Sequence, residues 1–205
     1  MKIAQPTKFA HVVYRTRRLE QMLEWYAAVF DAHVQYQNPV LAFLTYDDEH
    51  HRLAFADMSV LAPNDSETDK SDAIGIDHVA YTYASLGDLL ENYATLKEKG
   101  ITPYWCVHHG ITVSMYYADP DGNQMEFQVD CLSSNKEATD FMNTNWGDNP
   151  VGVEYDPDEL LTRYRAEIPE TELLSFYNGG PVSPIRGPPS GTSPGTALNS
   201  SPRPS

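Results

Sequence analysis

Residues 9–30, FAHVVYRTRRLEQMLEWYAAVF, open with a short β-branched and aromatic run and then place apolar side chains three and four positions apart. The same change of period recurs in residues 76–97, IDHVAYTYASLGDLLENYATLK. Apolar residues at a period of two and then 3.6 predict a strand followed by a helix, with the helices over Leu19–Phe30 and Leu86–Lys97. The two segments align without a gap: His11 falls on His78, Val12 on Val79, Tyr14 on Tyr81, Leu19 on Leu86, Leu23 on Leu90 and Tyr26 on Tyr93. After each helix come three apolar strand candidates, HVQYQ, LAFLTY and RLAFADM in one unit, ITPYWCV, TVSMYYA and QMEFQVD in the other. This is an α+β pattern of two tandem βαβββ modules, residues about 8–60 and 76–130, within a domain spanning 1–132. One such unit cannot cover its own sheet, so the pair is expected to form a curved mixed sheet around a shared cleft.

Beyond the repeat the pattern changes. Residues 133–178 are polar with helical spacing, and DPDELLTRYRAEI carries an Asp-Pro-Asp start suited to a helix N-terminus. A helical extension packed on the modules is expected, bordering the cleft or a homodimer contact. Residues 179–205 are rich in Pro, Gly and Ser, with few large apolar side chains to offset ordering entropy, and are expected to be disordered.

Composition narrows the function classes. An apolar content of 41% supports an interior, while a formal charge of −15 without basic clusters opposes nucleic acid and anionic membrane surfaces. The start MKIAQPTKFAHVV lacks an apolar signal core, and no apolar run approaches the ~18–20 residues that span a bilayer. A cytoplasmic protein is the expectation. Cys106 and Cys131 follow no zinc or disulfide spacing and are expected to be ordinary thiols.

One residue breaks the strand pattern. Glu126 occupies an apolar position in QMEFQVD, and aligning DPDGNQMEF with DDEHHRLAF sets it opposite Ala54. A carboxylate in one repeat where the other has a methyl group points to a site rather than a requirement of the fold. If the paired sheets curve around a cleft, His11, His78 and Glu126 can converge. Two imidazoles and one carboxylate form the facial triad of non-haem Fe(II) enzymes, leaving three coordination positions open.

The paired units, with HVVY, HVAY and YYADPDGNQMEFQ, resemble the vicinal oxygen chelate superfamily of glyoxalases, antibiotic resistance proteins and extradiol ring-cleavage dioxygenases. HHRLAFA and HHGITVSMYY resemble segments around the metal in one-domain extradiol enzymes of the 2,3-dihydroxybiphenyl 1,2-dioxygenase type. The resemblance implies cleavage of a catechol-type ring with O2, with Fe(II), or Mn(II) in its place, held by His11, His78 and Glu126. It further implies His51 beside the oxygen position and Tyr116 and His109 facing the substrate, although a one-residue slip would exchange His109 for His108. A small-molecule catechol and O2 are then the partners, with a homodimer or higher homo-oligomer expected. Ala54 argues against the glyoxalase branch, which presents four ligands. Two other readings share the fold: a metal-dependent isomerase, lyase or hydrolase, and a metal-free protein that binds a small aromatic molecule.

Overall fold

The computed structural model describes residues 8–63, 76–145, 149–176 and 180–188. Its elements follow the order β1 (Val12–Thr16), α1 (Leu19–Phe30), β2 (His33–Gln37), β3 (Leu41–Thr45), β4 (Leu53–Asp57), α2 (Met58–Leu61), β5 (His78–Thr82), α3 (Leu86–Glu98), β6 (Trp105–His108), β7 (Thr112–Ala118), β8 (Gln124–Asp130), α4 (Asn135–Asn145), β9 (Val153–Glu154), α5 (Pro157–Arg165) and α6 (Glu170–Leu173). Setting aside α2, a single turn capped by Asp57, the first eleven elements spell βαβββ twice. The chain divides into two compact units, one of residues up to 75 together with Asp119–Asp121, the other of residues 76–118 and 122 onward.

In the first unit the sheet order is β1-β4-β3-β2, with β1 parallel to β4 and the remaining pairs antiparallel. Helix α1 buries Leu19, Met22, Leu23, Tyr26 and Val29, the stripe expected from positions i, i+3, i+4 and i+7. Asp31 ends the helix in the left-handed conformation at φ 52°. Tyr26 meets Phe55 edge to face, ring centres 4.9 Å apart, and its hydroxyl donates to Asp119 at 3.2 Å. The edge strand β2 is exposed along its whole length.

The second unit repeats this order as β5-β8-β7-β6 and adds a strand, β9. Ser85 caps α3 by accepting from the Asp88 N–H, and the helix buries Leu86, Leu89, Leu90, Tyr93 and Leu96. The registers align the two halves. Val13 pairs with Ala54 in one sheet and Ala80 with Glu126 in the other. Ala80 stands 80 − 13 = 67 residues after Val13, the same offset as His78 from His11, so Ala54 and Glu126 occupy equivalent rungs.

Past β8 the described residues form helices α4, α5 and α6, with one element the helical spacing did not predict. Val153 and Glu154 form β9 on the edge of β6, whereas among the described residues the counterpart edge strand of the first sheet, β2, has no further strand beside it. Backbone groups of an open edge attract a further strand whatever the helical period of the flanking sequence. Helix α5, capped by Asp156 with Pro157 at its first position, docks on α3 through Lys97 to Asp158 (2.5 Å), the Tyr93 hydroxyl to Asp158 (2.8 Å) and Arg165 to Glu91 (2.7 Å).

The segment expected to be disordered from residue 179 needs correction over Gly180–Pro188. Ser183 is 4% exposed, its N–H donates to the Gly152 carbonyl at 2.9 Å, and Arg186 pairs with Glu154 at 2.6 Å. Polar contacts rather than apolar bulk hold this stretch, so composition could not reveal them. Residues 189–205 lie outside the described residues. Among the described residues no helix is long and apolar enough to cross a membrane.

Candidate active site

Glu126 lies on β8, between Ala80 of β5 and Tyr116 of β7, and is 6% exposed. A carboxylate this deep needs partners. His78 supplies one, with Nε2 3.1 Å from Glu126 Oε2 while its Nδ1 stands 2.8 Å from the Asp77 carboxylate. The hydrogen bond to Glu126 is the main force that pushes the His78 pKa up to about 9; burial opposes it and Asp77 reinforces it. Burial pushes Glu126 up, but the hydrogen bonds from His78 and Ser114, with His109 nearby, outweigh it and leave the carboxyl below its ordinary range.

A buried carboxylate beside an imidazole whose far nitrogen is tied to a second carboxylate is the donor arrangement common to metal-binding histidines. The pair therefore fits a metal, with a proton on His78 holding the charge balance when none is bound. Among the described residues no group of three or more His, Cys, Asp or Glu side chains is assembled for a metal ion.

The pair carries a pH signature in metal-stripped protein. His78 has a raised pKa, so its contribution to stability is complete below the ordinary value of 6.5 and is lost as pH rises through about 9. Glu126 has a lowered pKa, so its contribution is present above the ordinary 4.5 and fades as pH falls below it. The melting temperature of stripped protein is expected to decline between pH 6.5 and 9, and His78→Gln should flatten that decline. An unchanged slope in the variant would remove His78 as its source.

Tyr116 and His109 complete this side. The His109 Nδ1–H donates to the Val151 carbonyl at 2.5 Å, which leaves Nε2 as an acceptor 3.1 Å from the Tyr116 hydroxyl and 3.7 Å from Glu126. Burial lowers the His109 pKa, so the ring is neutral at pH 7 and keeps that lone pair. Burial also raises the Tyr116 pKa, and the Glu126 charge adds to it. Asn149 holds Val151 and Gly152 by accepting both N–H groups at 3.2 and 2.7 Å, while Gly152, at φ 110°, lies so close to the His108 carbonyl that a Cβ would collide with it. His108 points elsewhere: Nε2–H donates to the Leu174 carbonyl at 3.1 Å and Nδ1 accepts from the Gly110 N–H. Trp105 stacks on Tyr116 with ring centres 4.6 Å apart and donates to Ser183 Oγ at 3.0 Å.

His11 and His51 belong to the first unit. His11 immediately precedes β1, and Arg52 fixes its approach by donating to the carbonyls of Phe9 and Ala10 while paired with Asp47 at 2.9 Å. The His11 and His51 rings lie 4.5 Å apart, with Phe43 stacked 4.8 Å from His51. Burial, followed by the His11 and His50 charges, lowers the His51 pKa. The structure thus gathers His78, Glu126, Tyr116 and His109 in the second unit, and His11 with His51 in the first.

Sequence reasoning missed Asp77, Ser114, Trp105 and Ser183. Asp77 and Ser114 carried faint signals, one adjacent to His78 and the other two residues from Tyr116 on the same strand face. A cavity of about 500 Å³ adjoins the site, with Glu126, Tyr116 and His109 in its wall.

The Glyoxalase/Bleomycin resistance protein/Dioxygenase superfamily model matches residues 8–127. Biphenyl-2,3-diol 1,2-dioxygenase 2 of Rhodococcus globerulus is 50% identical over 151 residues, covering 73% of this chain and 77% of that protein. Biphenyl-2,3-diol 1,2-dioxygenase 3 of the same organism is 40% identical over 170 residues, 82% of this chain and 87% of that one. A solved glyoxylase/bleomycin resistance protein/dioxygenase domain from Frankia sp. EAN1pec shares the fold, with a TM-score of 0.51 at 15% identity over 65% of this chain and 99% of that one. With more than half of its 205 residues inside the family match and two such relatives along most of its length, the chain belongs to the glyoxalase/bleomycin resistance protein/dioxygenase superfamily.

Proposed function

We propose that this protein is an extradiol dioxygenase that opens a catechol-type ring with O2, next to rather than between its hydroxyl-bearing carbons. The observation that carries this reading is 50% identity over 151 residues to a biphenyl-2,3-diol 1,2-dioxygenase. The proposed metal ligands are His78 and Glu126, whose pairing fits a cation, and His11, the repeat counterpart of His78. Fe(II) is the proposed ion, with Mn(II) as the alternative. When bound, it supplies a Lewis-acidic, redox-active centre that makes the catechol hydroxyls acidic and brings ring and oxygen into electronic contact.

The chain's own groups then handle protons and position. The Tyr116 hydroxyl donates to His109 Nε2 and can accept from a substrate hydroxyl in turn. His109, fixed by Val151 in the tautomer with a bare Nε2, is the terminal acceptor of that relay. His51, neutral at pH 7 because its pKa is lowered, is the proposed acid–base group for the oxygen side. Trp105 holds the Tyr116 ring by stacking. Assistance of this kind is typically worth ~10²–10⁴-fold in rate. A charge of −15 makes phosphate backbones poor partners, and self-association is the proposed assembly.

The test is oxygen uptake by protein stripped of metal and reloaded without air with Fe(II). Uptake of one O2 per catechol, with the yellow absorbance of a ring-opened product, is the expected result. Absence of uptake with both Fe(II) and Mn(II) would overturn the assignment.

A further inference from the structure

The proposed relay of Tyr116 and His109 is braced on one side by residues that the βαβββ repeat does not contain. Trp105 pairs with Tyr116 across β6 and β7, so the two side chains share one sheet face. The indole stacks on the Tyr116 ring with centres 4.6 Å apart and stands edge-on to the His109 ring at 6.0 Å. It borders both members of the relay, and its one polar atom decides how it lies. Trp105 is 7% exposed, and a buried indole N–H turns toward an acceptor within reach.

That acceptor comes from far along the chain. Glu154 pairs with Val107 of β6, two residues from Trp105, which sets the carboxylate and the indole on the same face. Ser183 joins them. Its N–H donates to the Gly152 carbonyl at 2.9 Å, and its Oγ accepts the Trp105 N–H at 3.0 Å and donates to Glu154 at 2.8 Å. The Pro184 carbonyl, 3.0 Å away, competes for the hydroxyl proton, but a bond to a carboxylate is the stronger. Glu154 thus turns a Ser183 lone pair toward the indole, and Arg186 fixes Glu154 through two contacts at 2.6 and 3.1 Å. Residues 154, 183 and 186 all lie beyond residue 127, where the superfamily match ends.

We propose that Ser183 and Glu154 are positioning residues for ring cleavage: through the Trp105 N–H they hold the indole plane that keeps the Tyr116 hydroxyl aimed at His109. The inference rests on the extradiol reading of the site. The contribution is one of geometry. The Tyr116 hydroxyl lies 3.1 Å from His109 Nε2, and misplacing a catalytic group by about 1 Å costs up to about 10²-fold in rate.

Full-length protein loaded with Fe(II) is compared with Ser183→Ala, Trp105→Phe and the double variant, with catechol as the probe. Trp105→Phe keeps a ring on Tyr116 and removes the N–H. Each single change is expected to lower kcat about tenfold with KM within about twofold, while metal content and melting temperature stay close to wild type. Both break the same hydrogen bond, so the double variant should be no slower than Trp105→Phe alone, rather than about a hundredfold below wild type. Should Ser183→Ala fail to fold, Glu154→Ala, at a position 38% exposed, carries the same test, with a smaller loss of kcat that Trp105→Phe likewise masks. An active wild type whose folded variants keep kcat within about twofold, lose only in KM, or show losses that multiply would overturn the positioning role alone. A wild type inactive on catechol with both Fe(II) and Mn(II) would overturn the extradiol reading and this role with it.

Discussion

Glu126→Ala is expected to abolish metal retention and reduce turnover by about 10²–10³-fold or more, while the second sheet stays folded. The size follows from removing a buried charged group around which His78, Ser114 and His109 are organised. The tolerance follows from the first sheet, where Ala54 occupies the equivalent rung at 2% exposure between Val13 and Phe43. Metal content by emission spectrometry, turnover and a thermal melt measured together settle the matter. A variant that retains one metal ion per chain and full activity would exclude Glu126 as a ligand.

Ending the chain at Asn135 is expected to abolish the cooperative melting of the second unit. The truncation removes Leu160 and Leu173, both buried, each worth ~1.5–3 kcal/mol of burial. It also strips β9 from β6 and leaves Trp105 and Val107 uncovered. A loss of ~3–6 kcal/mol from those two leucines is a large share of the ~5–15 kcal/mol that stabilises a typical domain. Soluble yield and a calorimetric scan are the measurements. A truncated chain that melts at the full-length temperature would make residues 136–188 an appendage without a packing role.

The modules were legible in the sequence because their information is periodic. Leu19, Met22, Leu23 and Tyr26 declare one helix face, and the counterpart segment repeats it in step. Glu126 was legible for the opposite reason, as a charge in an apolar strand whose equivalent is Ala54. The partners that shape the site were less so. The Val151 carbonyl that sets the His109 tautomer is a backbone group, which any residue at that position would supply. Ser183 sits in a Pro- and Ser-rich stretch whose composition suggests no packing, yet a single hydroxyl takes the Trp105 N–H and donates 2.8 Å to Glu154. The adjacent histidines 108 and 109 could be told apart only by structure, since the choice depends on how β6 ends and where the following turn directs each ring.

The stretch Gly180–Pro188, which carries Ser183, bears on how the protein comes into being. A ribosome releases the chain from its N-terminus, and domains form as they emerge. Strands β5 to β8 are therefore out and able to pair before Val151, Val153 and Ser183 have been made. Until those residues arrive, His109 has no carbonyl to fix its tautomer and the Trp105 indole no hydroxyl to hold it against Tyr116. Nascent chains and fragments cut short by premature termination thus lack the Val151 and Ser183 contacts on which the proposed proton relay depends. Competence in the proposed relay therefore waits on residues made well after the strands that display it.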